Sequence, residues 1–431
     1  MRRLSIERNE LGSCALLAVL IALAGDAAAQ DEPEQPADPG TPVVSPEGVP
    51  GEQEPGGKKK KKKDERSAAE KRAIATTPAG TFGFKGRVLT ELRLRRAEQV
   101  IVEIVDGMGM PRLSEVDSFD ITLDSARFSL LYQAPARWLQ AEIETEIADP
   151  DQVELKDVYL LATGHGLSAK AGNFKPPSSA IDLESAWTLP IASRGFINDL
   201  LEGWLAVGGR TPGVQLAYEH PDGIEPKLIL GAFQGSVLIE QVGDDRDLEL
   251  IERASLDAQS WVARAQVELG KVDVGLFFEH RVGSPAPLVT KHYPVAGADI
   301  TFDEEFGQLG LRAWLDVHYG ESWYVHQSMP AAGDPWFLAA RAILAARYGG
   351  ASDDMLYGEV FVSLGMLDPD LDVSSDWAKD FGAGFNFGLW DRARLTLEAY
   401  VNDTARNFPE PYFGGPRGQI LGLTLQAGVA F

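Results

Sequence analysis

The chain has 431 residues, a formal net charge of −24 and 44% hydrophobic residues. An acidic balance of that size repels phosphate backbones and excludes nucleic acid as a partner, while the apolar content excludes a wholly disordered chain. The one cysteine, Cys14, excludes an internal disulfide framework.

The first 29 residues read as a signal peptide. Arg2, Arg3 and Arg8 form a basic start, Leu11 to Gly25 is an apolar run of 15 residues, and Ala27, Ala28 and Ala29 make a small-residue cleavage site before Gln30. The run falls short of the roughly 20 apolar residues that a membrane helix needs, and no later run approaches that length. Residues 30–78 have a different texture. Asp31 to Pro55 is rich in Pro, Glu, Gly and Asp, and a six-lysine tract, Lys58–Lys63, follows. Such a segment has too little apolar surface to fold, so it is expected to be a disordered linker, its lysines solvated.

From residue 79 to 431 short segments of alternating polarity recur, separated by Gly, Pro, Asp and Asn. Phe119, Ile121 and Leu123 alternate with Asp120, Thr122 and Asp124. Ala141, Ile143 and Ile147 alternate with Glu142, Glu144 and Glu146. Leu309, Leu311, Ala313, Leu315 and Val317 alternate with Arg312, Asp316 and His318. Leu395, Leu397 and Ala399 alternate with Arg394, Thr396 and Glu398. Period two is the mark of strands with one apolar and one polar face. A soluble sandwich alternates too, but export and Trp138, Tyr319, Trp390 and Tyr400 near segment ends, where interfacial girdles would lie, favour a membrane barrel. Lipid-facing strands need every backbone group paired, which a closed barrel provides. At roughly 20–24 residues per strand and turn, this region holds about 14–18 strands.

Enzyme signatures are scarce. None of the six histidines has zinc-protease spacing, and neither a Gly-x-Ser-x-Gly elbow nor a phosphate loop occurs. No catalytic residue, metal or cofactor is expected. Gly164-His165-Gly166 reads as a turn. Asp368, Asp370, Asp372 and Asp376 read as an acidic exposed loop, since the glycine of a tight calcium loop is missing. The final segment places Leu421, Leu423, Leu425, Ala427, Val429 and Phe431 on one face, and its aromatic end resembles the assembly signal of bacterial outer-membrane barrels.

Residues 118–220 carry a wider resemblance. Phe119 to Arg127, Trp138 to Glu144, Leu155 to Tyr159, the Gly172-Asn-Phe-Lys-Pro-Pro177 block, Ser193-Arg194 and Gly209-Arg-Thr-Pro-Gly-Val-Gln-Leu216 occur in order. Together they resemble the phosphate-selective porin O/P family. The resemblance implies an all-β, transmembrane antiparallel β-barrel of about 16 strands in the bacterial outer membrane. It also implies a homotrimer and loops folded inward to narrow the pore. The linker would then lie in the periplasm. The implied function is passive diffusion, with outer-membrane lipid and small anions, cations or hydrophilic solutes as partners. An envelope tether and an outer-membrane barrel enzyme are the alternatives.

Residues 174–210, helix-like from Phe196 to Leu205, are expected to form the inward loop. Lys175, Arg194 and Arg210 flank it and are the eyelet candidates; pairing with Asp182, Glu184 or Asp199 is the competing expectation. Residues 79–431 hold 28 Lys and Arg against 51 Asp and Glu, a balance of −23. Glu142, Glu144 and Glu146 share one strand face and are expected to line the lumen as a negative wall. That acidity argues for a general or weakly cation-preferring channel and against phosphate selectivity.

Overall fold

The period-two alternation becomes one antiparallel sheet that closes on itself. The computed structural model describes residues 72–431 apart from 106–107, 150–151, 204, 206, 221–225, 243–247, 287–288, 323–334, 350–355, 390–391, 406–407 and 409–417. The expected signal peptide and nearly all of the expected linker therefore lie outside the described residues.

In chain order the strands are β1 (Ala73–Thr77), β2 (Gly80–Val105), β3 (Met108–Gln133), β4 (Leu139–Asp149), β5 (Gln152–Gly164) and β6 (Leu167–Phe174). A long connection follows, carrying α1 (Ala180–Leu183) and α2 (Phe196–Gly203). Then come β7 (Thr211–Glu219), β8 (Pro226–Val242), β9 (Leu248–Leu269), β10 (Val272–Ala286), β11 (Val289–Phe306) and β12 (Leu309–Glu321). The last are β13 (Trp336–Gly349), β14 (Leu356–Asp368), β15 (Ala378–Leu389), β16 (Ala393–Thr404) and β17 (Gln419–Ala430).

Consecutive strands pair antiparallel throughout, and β17 closes the barrel on β2, with Ile420 opposite Ala97 and Ala430 opposite Arg87. Phe431 and Gly86 exchange both backbone hydrogen bonds, at 2.8 and 2.9 Å, so the last residue is the last rung of the closure. Sixteen strands, β2–β17, form the ring. β1 is extra. It lies inside the expected linker boundary at 79, and it pairs with Gly80–Gly83 of β2, beyond the reach of β17.

The faces follow the sequence. On β17, Leu421, Leu423, Leu425 and Val429 are exposed on the outside, while Thr424 and Gln426 are buried on the inside. Trp138 and Tyr319 are exposed among the outer residues. Tyr400 is a correction: it lies on the same face as Glu398, which is buried inside, so it points inward rather than joining a girdle. Trp390 lies outside the described residues. No described helix is long and apolar enough to cross a membrane; the strands are the apolar-faced elements.

Among the described residues, turns at the end where β2 begins and β17 ends are short. Gly164-His165-Gly166 makes one, as expected, with φ of 51° at His165 and 76° at Gly166, the left-handed pair that a two-residue hairpin demands. The connection from 175 to 210, by contrast, folds into the barrel and carries the molecule's main apolar core. Ile197, Leu200, Leu201, Leu205 and Val207 pack on Phe277, Val295, Phe337, Leu367 and Ala378 of the inner wall. Ile181, Leu189 and Ile191 pack on Trp314, Ile343 and Phe361. Inward apolar side chains on β10–β15 thus find a partner in the loop instead of facing water.

Candidate functional site

The loop is held against one half of the wall by arginines whose charge is spent on docking. Arg341 of β13 is buried and bonds the loop through Ser179 Oγ at 3.3 Å, Asp182 Oδ1 at 3.0 Å and Asn198 Oδ1 at 2.5 Å. Its Nε also donates to Asp316 Oδ1 at 3.0 Å, and His318 Nε2 lies 3.4 Å away. Three other wall arginines donate to loop carbonyls. Arg394 of β16 reaches Trp187 O at 3.0 Å, Leu189 O at 2.6 Å and Ala186 O at 3.3 Å. Arg312 of β12 reaches Thr188 O at 3.0 Å, and Arg281 of β10 reaches Leu205 O. The wall accepts from the loop as well: Ala192 N donates to Glu398 at 2.8 Å, and Ile197 N to Asp380 at 3.0 Å. A guanidinium has five donors in a fixed fork, which suits it to gathering carbonyls that a loop leaves unpaired.

Opposite the loop, β2–β6 leave a cavity of about 460 Å³. Lys85, Arg87, Arg127 and Lys170 line it from the wall strands, Lys175, Arg194 and Arg210 from the connection, and Arg72 from just ahead of β1. Its acidic lining is Glu142, Glu144, Asp157, Asp182 and Glu184. Eight cations against five carboxylates make this gap basic inside a strongly acidic chain. The three eyelet candidates, Lys175, Arg194 and Arg210, line the same cavity.

The expected partners of those three differ from the ones found. Lys175 Nζ bonds Glu202 at 2.8 Å. Arg210 forms a two-pronged pair with Asp157 at 3.0 and 3.1 Å. Arg194 bonds no carboxylate; it donates to the carbonyls of Ile181 at 3.4 Å, Asp182 at 3.4 Å and Glu184. Burial, and then Arg194, lower the Lys175 ammonium from its ordinary value, against the pull of Glu202. Burial lowers the Arg194 guanidinium too, with Asp182 and Glu202 offsetting part of it. Asp199 is exposed to the lumen, yet confinement there, reinforced by Glu202 and Asp380, pushes it up to about 6.

Glu142, Glu144 and Glu146 do face inward, but they are not a bare negative wall. Glu142 pairs with Lys85 at 2.5 Å and accepts from Tyr159 Oη at 2.7 Å. Glu144 lies 3.5 Å from Arg127 and 3.8 Å from Arg210. Glu146 pairs with Lys156 at 2.8 Å and with Arg127. A bulge enables this: between Val158 opposite Ile143 and Leu155 opposite Thr145, β5 has one residue more than β4. That extra residue lets Lys156 and Asp157, neighbours in sequence, both reach inner-face partners.

After this neutralisation, and apart from Arg72 just ahead of β1, three lining cations among the described residues make no ion pair with a carboxylate. They are Arg194, Arg87, whose Nη1 donates to Ser185 Oγ at 2.5 Å, and Lys170, whose ammonium sits 3.8 Å from the Tyr159 ring centre and 4.3 Å from that of Phe174. Arg87, Arg127, Lys85 and Lys170 were not singled out from the sequence. Their positions on polar strand faces carried the signal, but only the path of the loop shows which strands face the gap.

No described group of three His, Cys, Asp or Glu, the aspartates of 368–376 included, is placed to hold a metal. Asp372 is exposed as expected, but Asp376 is buried rather than exposed, and burial beside Asp368 pushes its carboxyl up to about 7.

Neither a protein-family model nor a curated protein matches the chain by sequence. Solved structures match by shape. The outer membrane channel DcaP of Acinetobacter baumannii superposes with a TM-score of 0.54 at 13% identity, over 83% of this chain and 99% of that one. The fold is that of an outer-membrane porin. The anion-selective porin from Comamonas acidovorans superposes with a TM-score of 0.50 at 12% identity, over 82% of this chain and 100% of that one. At such identities the likeness is one of architecture: a 16-stranded ring.

Proposed function

We propose that the chain is a porin of the bacterial outer membrane through which small hydrophilic solutes and ions diffuse down their gradients. The observation that carries this reading is a closed barrel, apolar outside, whose inward loop leaves a charged, water-accessible gap along β2–β6. Sixteen strands are enough to enclose an aqueous channel, and selectivity then rests on the charges at the narrowest part. Arg87, Lys170 and Arg194 lack carboxylate partners, so the gap favours anions as a class, chloride and phosphate alike. This reverses the weak cation preference expected from the net charge, because most of the acidity either pairs with wall cations or lies away from the gap. The resemblance to the phosphate-selective porin O/P family supports the homotrimer as an expectation. The linker expected over residues 30–78 would lie on the periplasmic side.

Reconstitution into planar bilayers tests the reading. Discrete, ohmic current steps in potassium chloride are expected; folded protein that inserts without steps overturns it and favours a tether. Cross-linking in detergent is expected to give a three-chain species.

A further inference from the structure

We infer that the constriction selects small organic anions with an apolar body, such as aromatic carboxylates, over inorganic anions and short carboxylates of equal charge. This rests on the channel reading above and goes beyond its charge argument. Leu183 keeps 44% of its surface exposed although it stands in a gap lined by charged groups. Its exposure is imposed by its neighbours. Ser179 caps α1, accepting from Ile181 N at 3.1 Å, and both Ser179 and Asp182 are tied to the buried Arg341. Ile181, two residues earlier, is 1% exposed and takes the apolar place against the wall. The helix cannot turn Leu183 inward without pulling Ile181 out of that core and Asp182 off Arg341.

Trp187 lines the same cavity beside Leu183, backed by the Arg394 guanidinium at 5.3 Å, and the Tyr159 ring lies on the opposite side beneath Lys170. The gap therefore presents a fixed apolar shelf on the loop and unpaired cations at Arg87, Arg194 and Lys170. A solute with a carboxylate at one end and a hydrocarbon body at the other satisfies both at once. Acetate or phosphate satisfies only the cations, and gains nothing from covering Leu183.

The test is block of the chloride current through the full-length channel in bilayers, with benzoate, acetate and inorganic phosphate as probes. Benzoate is expected to reduce the current at concentrations at which acetate and phosphate leave it unchanged. Leu183→Asn is expected to raise the half-blocking concentration of benzoate about fivefold, the loss of a modest patch of apolar contact, and Leu183→Phe to lower it. Each value is taken relative to that variant's own chloride current. Equal block by benzoate and acetate, or the same half-blocking concentration in all three proteins, overturns the inference while leaving the channel reading intact. Absence of any current step overturns both.

Discussion

The two halves of the inner wall use the same residue types for opposite ends. On the half formed by β10–β16, Arg281, Arg312, Arg341 and Arg394 face inward and are used up by the loop, their donors turned on its carbonyls and on Asp182 and Asn198. On the half formed by β2–β6, Arg87, Arg127 and Lys170 also face inward, but across a gap that the loop leaves open. One set of cations builds the constriction and the other electrifies it. Net charge therefore says little about selectivity here: what counts is which side chains remain unpaired after the loop is seated.

The largest expected effect comes from undoing the docked half. Arg341→Met leaves Asp182 and Asp316 buried without their shared cation, a loss of about 3–5 kcal/mol by analogy with broken buried pairs. The loop should detach. Single-channel conductance should rise and become noisy, and the thermal transition should move down. An unchanged, quiet conductance would mean that the apolar core alone seats the loop. Arg394→Gln is the milder version. It removes bonds to three carbonyls, at about 0.5–1.5 kcal/mol each, so thermal melting should shift less than for Arg341→Met and the conductance should stay quiet.

Changes on the open half should leave stability alone and alter selectivity. Arg87→Gln with Lys170→Gln removes two wall cations that have no carboxylate partner, and the anion-to-cation permeability ratio should fall several-fold while the melting temperature stays within a degree or two. The smallest effect is that of pH. Asp199, held up at about 6, is ionised at pH 7 and neutral at pH 5, so acidification removes a negative charge from the lumen and anion preference should increase. The sign for folding is the same: a carboxyl raised above its unfolded value favours the folded loop at low pH, an advantage lost as pH rises through about 6. Asp199→Asn should flatten the dependence of the permeability ratio between pH 5 and pH 7.

The barrel was legible because strand faces are a local property. Leu421, Leu423 and Leu425 alternate with Thr424 and Gln426 in the sequence as they do between outside and inside. The inward loop was expected from the resemblance to the porin O/P family, and the length and helical pattern of Phe196 to Leu205 marked which segment would form it. Two things were not. The neutralisation of Glu142, Glu144 and Glu146 depends on Lys85, Arg127 and Lys156 from other strands, and in part on a bulge that alternation cannot foresee. The division of the arginines into docking and lining groups depends on where a 36-residue connection, 175–210, comes to rest, which is a long-range choice made by packing against Phe277, Trp314 and Phe337. Tyr400 shows the same limit on a small scale: its place near a segment end suggested an interface, but its parity with Glu398 puts it inside.

The central claim is that local, unpaired cations outweigh the overall charge of −24. The most direct test is the zero-current potential of the wild-type channel across a potassium chloride gradient at neutral pH. A potential of the sign set by chloride is predicted. A potential of the sign set by potassium would show that the acidic surroundings govern the pore, and would contradict the account.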